Sequence, residues 1–256
     1  MSKVNLFHYA TSELSQDAFF AWLLSWASPD TEGQMHQYAQ NFLRFLYKKA
    51  NVEFPTIASL KVILQVNNID IQCRINDNTV LLIEDKVNTK QHSEQLRRYR
   101  ETLEQENFLQ IIPFYIQTGD QSDYSSVIND GYNIITRHDL LQFFEENSAL
   151  QSQIRNNILD DFVAYMREVE EGVQSYKHLP ISKWEWKSWI GFYQELQKRL
   201  EDSGWDYVAN PSGGFLGFWW EYLDNADGGK QYLQLEQDKL CIKISGESKE
   251  KCREVM

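Results

Sequence analysis

Apolar residues recur at helical spacing from Glu13 to about Trp26, with Phe19, Trp22, Leu23 and Trp26 in phase and Ser28-Pro29 closing the segment. The spacing predicts a mostly buried helix. A second helix is predicted from about Gln34 to Ala50, with Met35, Tyr38, Phe42, Phe45 and Leu46 as its buried stripe. The period then drops to two. Ser59 to Asn67 alternates through Leu60, Val62, Leu64 and Val66, Ile69 to Arg74 continues with Asp70 inside it, and Asn76-Asp77-Asn78 turns the chain into Thr79 to Ile83. This third strand is almost wholly apolar, which places it at the centre of a sheet. Helical spacing returns from about His92 to Glu106, and Ile111 to Gln117 reads as a further buried strand, so at least one crossover is parallel. A short strand at Tyr132 to Thr136 and helices at about 138–147 and 150–171 complete this part.

Beyond a polar, Gly-containing stretch near Glu170 to Tyr176 the texture changes. Six of the eight tryptophans fall there, with a helical pattern from about Lys183 to Asp202 and strands near Gly217 to Leu223, Lys230 to Glu236 and Leu240 to Ser245. The chain is therefore expected to divide into residues 1–172, an α/β (α+β) unit, and residues 173–256, a smaller aromatic-rich α+β region.

The chemistry concentrates on the two strands around the Asn-rich turn. Asp70 lies within one, and Glu84 and Lys86 follow across the turn at the end of the next. Antiparallel pairing would bring the three together, and the strand period of two puts Glu84 and Lys86 on one face with Asp85 on the other. Two neighbouring carboxylates offer hard oxygen ligands to Mg²⁺, and a lysine beside them offers a point charge to a transition state rich in negative charge. The plainer alternative is a pair of solvated strand-end carboxylates with Lys86 paired to one of them. Three charges converging on a sheet of Leu, Ile and Val argue against it, because such burial is costly without a metal or an ion pair.

Residues 86–100 hold five basic side chains, Lys86, Lys90, Arg97, Arg98 and Arg100, against one acid, Glu94. This locally basic segment is a candidate contact for phosphate. Gln91, Gln95 and Tyr99 share a face at i, i+4 spacing, from which an amide could orient a water or the lysine. Upstream, Glu13 and Asp17 are also four apart, so the first helix could lend a carboxylate to the site; Glu13 fits equally well as a first-turn acid facing the helix dipole.

Taken jointly, Glu13-x3-Asp17 with Ala21-Trp22-Leu23-Leu24, Asn68-Ile69-Asp70-Ile71, Leu82-Ile83-Glu84-Asp85-Lys86-Val87 and Gln95-Leu96-x2-Tyr99 resemble the PD-(D/E)XK nuclease superfamily, in particular its bacterial subgroup with an AWLL-type first helix. The resemblance covers about residues 5–137. It implies a restriction-endonuclease-like αβββαβ core, with Asp70, Glu84, Lys86 and Gln95 as the catalytic set, Asp70, Glu84 and Glu13 toward the metal, and Mg²⁺ or Mn²⁺ as the cofactor for phosphodiester hydrolysis in defence or repair. Ile69 stands where the motif's nominal proline would be.

Charge pulls the other way, since a net −12 disfavours a general nucleic-acid coat and leaves only local basic patches to meet phosphate. Nucleic acid, DNA in preference to RNA, is nonetheless the expected partner. The aromatic cluster of the second half has acidic flanks (Glu185, Glu221, Asp224, Asp227), which favours packing or a contact with a protein or second copy of the chain over base stacking. No apolar run is long enough to span a bilayer and no secretory leader is evident, so the expected address is the cytoplasm. Three unpaired cysteines and five scattered histidines give neither a disulfide framework nor a zinc site, and phosphate-loop, dinucleotide and Gly-x-Ser-x-Gly signatures are missing. Two classes of function remain: a metal-dependent nuclease, and a catalytically silent nuclease-like fold used for binding.

Overall fold

The computed structural model describes residues 4–87, 89, 94–211, 213–224 and 230–245. It divides into two compact units, Met1–Asp120 with Tyr124–Glu168, and Gln121–Asp123 with Val169–Met256.

In the first unit, α1 (Glu13–Ser25) and α2 (Gly33–Lys49) precede three antiparallel strands, β1 (Leu60–Val66), β2 (Ile69–Ile75) and β3 (Thr79–Lys86). Helix α3 (Gln95–Glu104) then leads to β4 (Gln110–Gln117), α4 (Ser125–Asn129) and β5 (Asn133–Thr136), and β4 and β5 add in parallel. The sheet order is β1-β2-β3-β4-β5, so β3 is central, as its apolar run requires, and all eight of its residues are buried. The αβββαβ order expected from the sequence is the observed one. Residues 92 and 93, where α3 is expected to begin, lie outside the described residues.

Turn chemistry sets the register. Asn67 and Asn68 join β1 to β2, and Asn76 and Asp77 join β2 to β3, all four with φ between 52° and 61°. Two consecutive positive-φ residues give tight hairpins whose twist matches the strands, and Asn and Asp tolerate that conformation best after glycine. The second hairpin pairs Ile75 with Thr79 through to Ile71 with Ile83, so the next step sets Asp70 level with Glu84. A one-residue slip would turn the acids to the opposite face.

Helix α1 begins at Ser12, whose hydroxyl accepts the Ser15 N–H at 3.3 Å, and buries Phe19, Phe20, Ala21, Leu23 and Leu24. Phe19 stacks on Phe162 with ring centroids 3.7 Å apart, and Phe7, Phe20 and Phe144 meet Phe162 edge-on. The single helix expected over 150–171 is two, α6 (Ser148–Ile154) and α7 (Asn157–Gln174), after α5 (Arg137–Glu146). Arg155 takes φ 49°, and the Asn156 side chain accepts the N–H groups of Ile158 and Leu159, so a fresh N-cap interrupts an otherwise continuous pattern.

The second unit carries α8 (Trp186–Gln197) and a four-stranded antiparallel sheet, β6 (Gly204–Val208), β7 (Phe215–Asp224), β8 (Lys230–Glu236) and β9 (Lys239–Ser245). Trp189, Tyr193, Trp205, Leu216 and Phe218 form its core. Strand β6 has no clear sequence signal because Gly204 and Asp206 are poor strand formers; pairing with β7 creates it. Among the described residues, Cys73 and Cys241 are free thiols, and no helix is long and apolar enough to cross a membrane.

Candidate active site

The charged triplet does not hang off the end of β3 but occupies its last three positions, fully inside the sheet. Glu84 and Asp85 are 0% exposed and Lys86 is 7% exposed. Alternation sends Glu84 and Lys86 to the α3 face and Asp85 to the α1 face, and each face supplies hydrogen-bond partners of its own.

On the α3 face, Lys86 Nζ donates to Glu84 Oε1 at 2.5 Å and to the Asp85 carbonyl at 3.0 Å, and lies 3.7 Å from Asp70 Oδ2. Asp70 Oδ2 also accepts the Asp85 backbone N–H at 3.0 Å. Gln95, in the first turn of α3, donates to the same Glu84 oxygen at 2.9 Å and to the Tyr99 hydroxyl at 2.7 Å. Glu84 Oε1 is thus doubly served, whereas Glu84 Oε2 is buried and has no hydrogen-bond partner among the described residues. Burial, with the Asp70 charge adding to it, pushes the Glu84 carboxyl up to about 8. Burial alone would lower the Lys86 ammonium, but the Glu84 and Asp70 carboxylates outweigh it and hold it above its ordinary value.

On the opposite face the fully buried Asp85 receives the Gln16 amide at 2.6 and 2.8 Å, and Gln16 in turn accepts the Thr118 hydroxyl at 2.8 Å. Burial and the nearby Asp17 raise the Asp85 carboxyl well above the usual carboxylate range. Gln16 has no clear sequence signal, since a polar residue in the first turns of an amphipathic helix normally reads as solvent-facing.

Glu13 and Asp17 part company despite their shared spacing. Glu13 Oε1 accepts the Val87 N–H at 3.2 Å and the Thr89 hydroxyl at 2.5 Å, which fixes the chain as it leaves β3. Asp17 is buried, accepts the Gln65 amide at 2.9 Å through Oδ2 and leaves Oδ1 unpartnered. Burial, reinforced by Asp70, pushes its carboxyl up to about 7. The i, i+4 pattern with Glu13 was the only sequence signal for Asp17.

The basic segment is less basic than a window ending at residue 100 suggests. Arg97 pairs with Glu94 at 2.8 Å and with Glu101 at 3.7 Å, and Arg100 pairs with Glu104 at 3.2 Å. Arg98 is exposed. Lys90 and Gln91 lie outside the described residues.

Among the described residues, no group of three or more His, Cys, Asp and Glu side chains is arranged to hold a metal ion by itself. A divalent cation of the Mg²⁺ type needs only one or two protein carboxylates when water and a substrate phosphate complete its shell. Asp70 and Glu84 suit that requirement, and Glu84 Oε2 is a buried acceptor with a ligand's chemistry and no hydrogen-bond partner among the described residues.

A central mixed sheet with two acids and a lysine gathered where β2 and β3 meet, flanked by α1 and α3, defines a nuclease-like class of protein. Residues 4–178 match the PD-(D/E)XK nuclease superfamily, and the chain belongs to that superfamily. Its members are generally nucleases that use divalent metals such as Mg²⁺. No curated protein and no solved structure matches the chain.

Proposed function

We propose that the chain is a Mg²⁺- or Mn²⁺-dependent phosphodiester hydrolase acting on nucleic acid, DNA before RNA, in bacterial defence or repair. The observation that carries the reading is the buried Oε2 of Glu84, without a hydrogen-bond partner among the described residues, beside Asp70 and Lys86. In this reading Asp70 and Glu84 hold the cation, which when bound supplies Lewis-acid polarisation of a phosphoryl oxygen and a water of lowered pKa.

The chain's own groups do the rest. Lys86, spanning both carboxylates, keeps a positive charge at the reacting phosphate and balances the charge that builds on its oxygens. Gln95 keeps Glu84 Oε1 occupied, which leaves Oε2 as the free ligand oxygen, and Tyr99 orients that amide. Glu13 anchors the backbone after Lys86, a supporting role in place of direct metal ligation. Arg97, Arg98 and Arg100, with Lys90, are the proposed phosphate contacts; a nucleic acid would have to draw Arg97 and Arg100 from their acidic neighbours, which makes binding strongly salt-dependent.

A panel of single- and double-stranded DNA and RNA, incubated with Mg²⁺ or Mn²⁺, tests the proposal. Cleavage by the parent and its loss in Asp70→Ala and Lys86→Ala are expected. An inert parent across the panel favours the silent binding module, a reading to which the ion-paired Arg97 and Arg100 of α3 lend support.

A further inference from the structure

Gln65 stands in β1 across from Asp70, between the pairs Leu64 with Ile71 and Val66 with Ile69. Its backbone is left-handed, with φ 53°, at the penultimate position of β1, an edge strand, although the residue still belongs to the strand. The other described positive-φ residues of this sheet's hairpins, Asn67, Asn68, Asn76 and Asp77, are turn residues of the types that favour such a conformation. Gln65 is neither in the turn nor of such a type, and a left-handed residue flanked by paired residues within the strand points to a local constraint. The kink carries the amide to two carboxylates at once. Gln65 Nε2 donates to Asp17 Oδ2 at 2.9 Å and to Asp70 Oδ1 at 3.3 Å. Asp70 is thereby held from both sides, by this amide at Oδ1 and by the Asp85 N–H at Oδ2. The two carboxylates therefore share one amide nitrogen, and the Asp70 charge acts on Asp17 strongly enough to help raise its carboxyl.

We propose that Gln65 is a positioning residue for Asp70: its amide screens Asp70 from Asp17 and fixes the carboxylate in the orientation that takes the cation. This rests on the reading of Asp70 as a cation ligand. A carboxylate's hydrogen-bond partner outside the metal's own ligands is typically worth about 10- to 100-fold in metal affinity.

Substitution by glycine separates backbone from side chain, because glycine accepts the left-handed conformation freely and carries no amide. The experiment titrates Mn²⁺ calorimetrically into the parent, Gln65→Gly, Gln65→Ala and Asp70→Ala proteins and follows urea unfolding of each without metal. Gln65→Gly should unfold at higher urea than Gln65→Ala, yet both should bind Mn²⁺ about 10- to 100-fold more weakly than the parent. On a cleavable substrate kcat should fall at saturating nucleic acid while KM stays unchanged. Parent-like Mn²⁺ affinity in Gln65→Gly, with affinity lost in Asp70→Ala, overturns the role of Gln65 alone. Parent-like affinity in Asp70→Ala overturns the assignment of the cation site beneath it.

Discussion

Strands β3 and β7 are each flanked on both sides within their sheets, and they treat charge in opposite ways. β3 buries Glu84, Asp85 and Lys86 in a row, while β7 buries Leu216, Gly217 and Phe218 and leaves Glu221 and Asp224 in solvent. The second unit follows the ordinary partition of polar groups outward and aromatic mass inward. The first departs from it most sharply at the end of β3, where three consecutive charged residues are buried and have partners of their own: Gln16 for Asp85, Lys86 and Gln95 for Glu84; elsewhere it also buries Asp17 against Gln65 and Arg137 against Asp120. Such partnering reduces the cost of burial without making the charges a source of stability, which is why the departure reads as function in β3 and why its absence in β7 reads as packing.

The largest test of that contrast compares single substitutions in the two strands. Asp70→Ala, Glu84→Ala and Lys86→Ala should each lower cleavage by about 10²-fold or more, by analogy with losing one preorganised electrostatic group. Phe218→Ala should instead lower the stability of the second unit by about 3–5 kcal/mol. Six tryptophans lie in that half of the sequence, so denaturation followed by their fluorescence reads it directly. A Phe218→Ala protein of unchanged stability would break the comparison.

Next in size is a coupling of pH to metal. Glu84, raised from 4.5 to about 8, and Asp17, raised from 3.8 to about 7, bind more protons folded than unfolded across that interval. The stability they contribute is present below their ordinary values and is lost as pH rises through the folded ones. Metal-free protein should therefore lose thermal stability from about pH 4 to about pH 8 through these groups, and Mg²⁺, which needs deprotonated carboxylates, should raise Tm more at about pH 8 than at about pH 5. Calorimetric scans with and without Mg²⁺ check this; a Tm gain independent of pH would count against Glu84 as a ligand.

The smallest effect is expected at Trp186, 43% exposed and in ring contact with Tyr207 at 5.7 Å. Trp186→Ala should change stability by no more than about 0.5 kcal/mol and leave single-strand affinity unaltered in a binding titration. A loss of affinity at constant stability would make this exposed pair a stacking platform and give the second unit a share in nucleic-acid recognition.

Most of the first unit's architecture was readable in the sequence because its signals are local. The period-two runs, the Asn-rich turns and the apolar β3 specify a hairpin meander with β3 central, and the parity of Glu84 and Lys86 needs nothing more than the pleat. Helix interruption at Arg155 and the edge strand β6 escaped, the first because an Asn side chain competes with the helix backbone, the second because its strand character comes from β7. The basic character of residues 86–100 weakens once Glu101 and Glu104 beyond it pair with Arg97 and Arg100.

By itself, then, the sequence determined that two acids and a lysine would meet across one tight turn, since hairpin register and strand parity are short-range properties. Which further side chains join them was decided only by the tertiary structure. Gln16, Asp17 and Gln65 come to the site from α1 and β1, 48 residues separating Asp17 from its partner Gln65 and 69 separating Gln16 from Asp85. Such contacts leave no periodic trace, because what selects them is the cost of a buried charge without a partner, and that cost exists only once the sheet and α1 have closed around it.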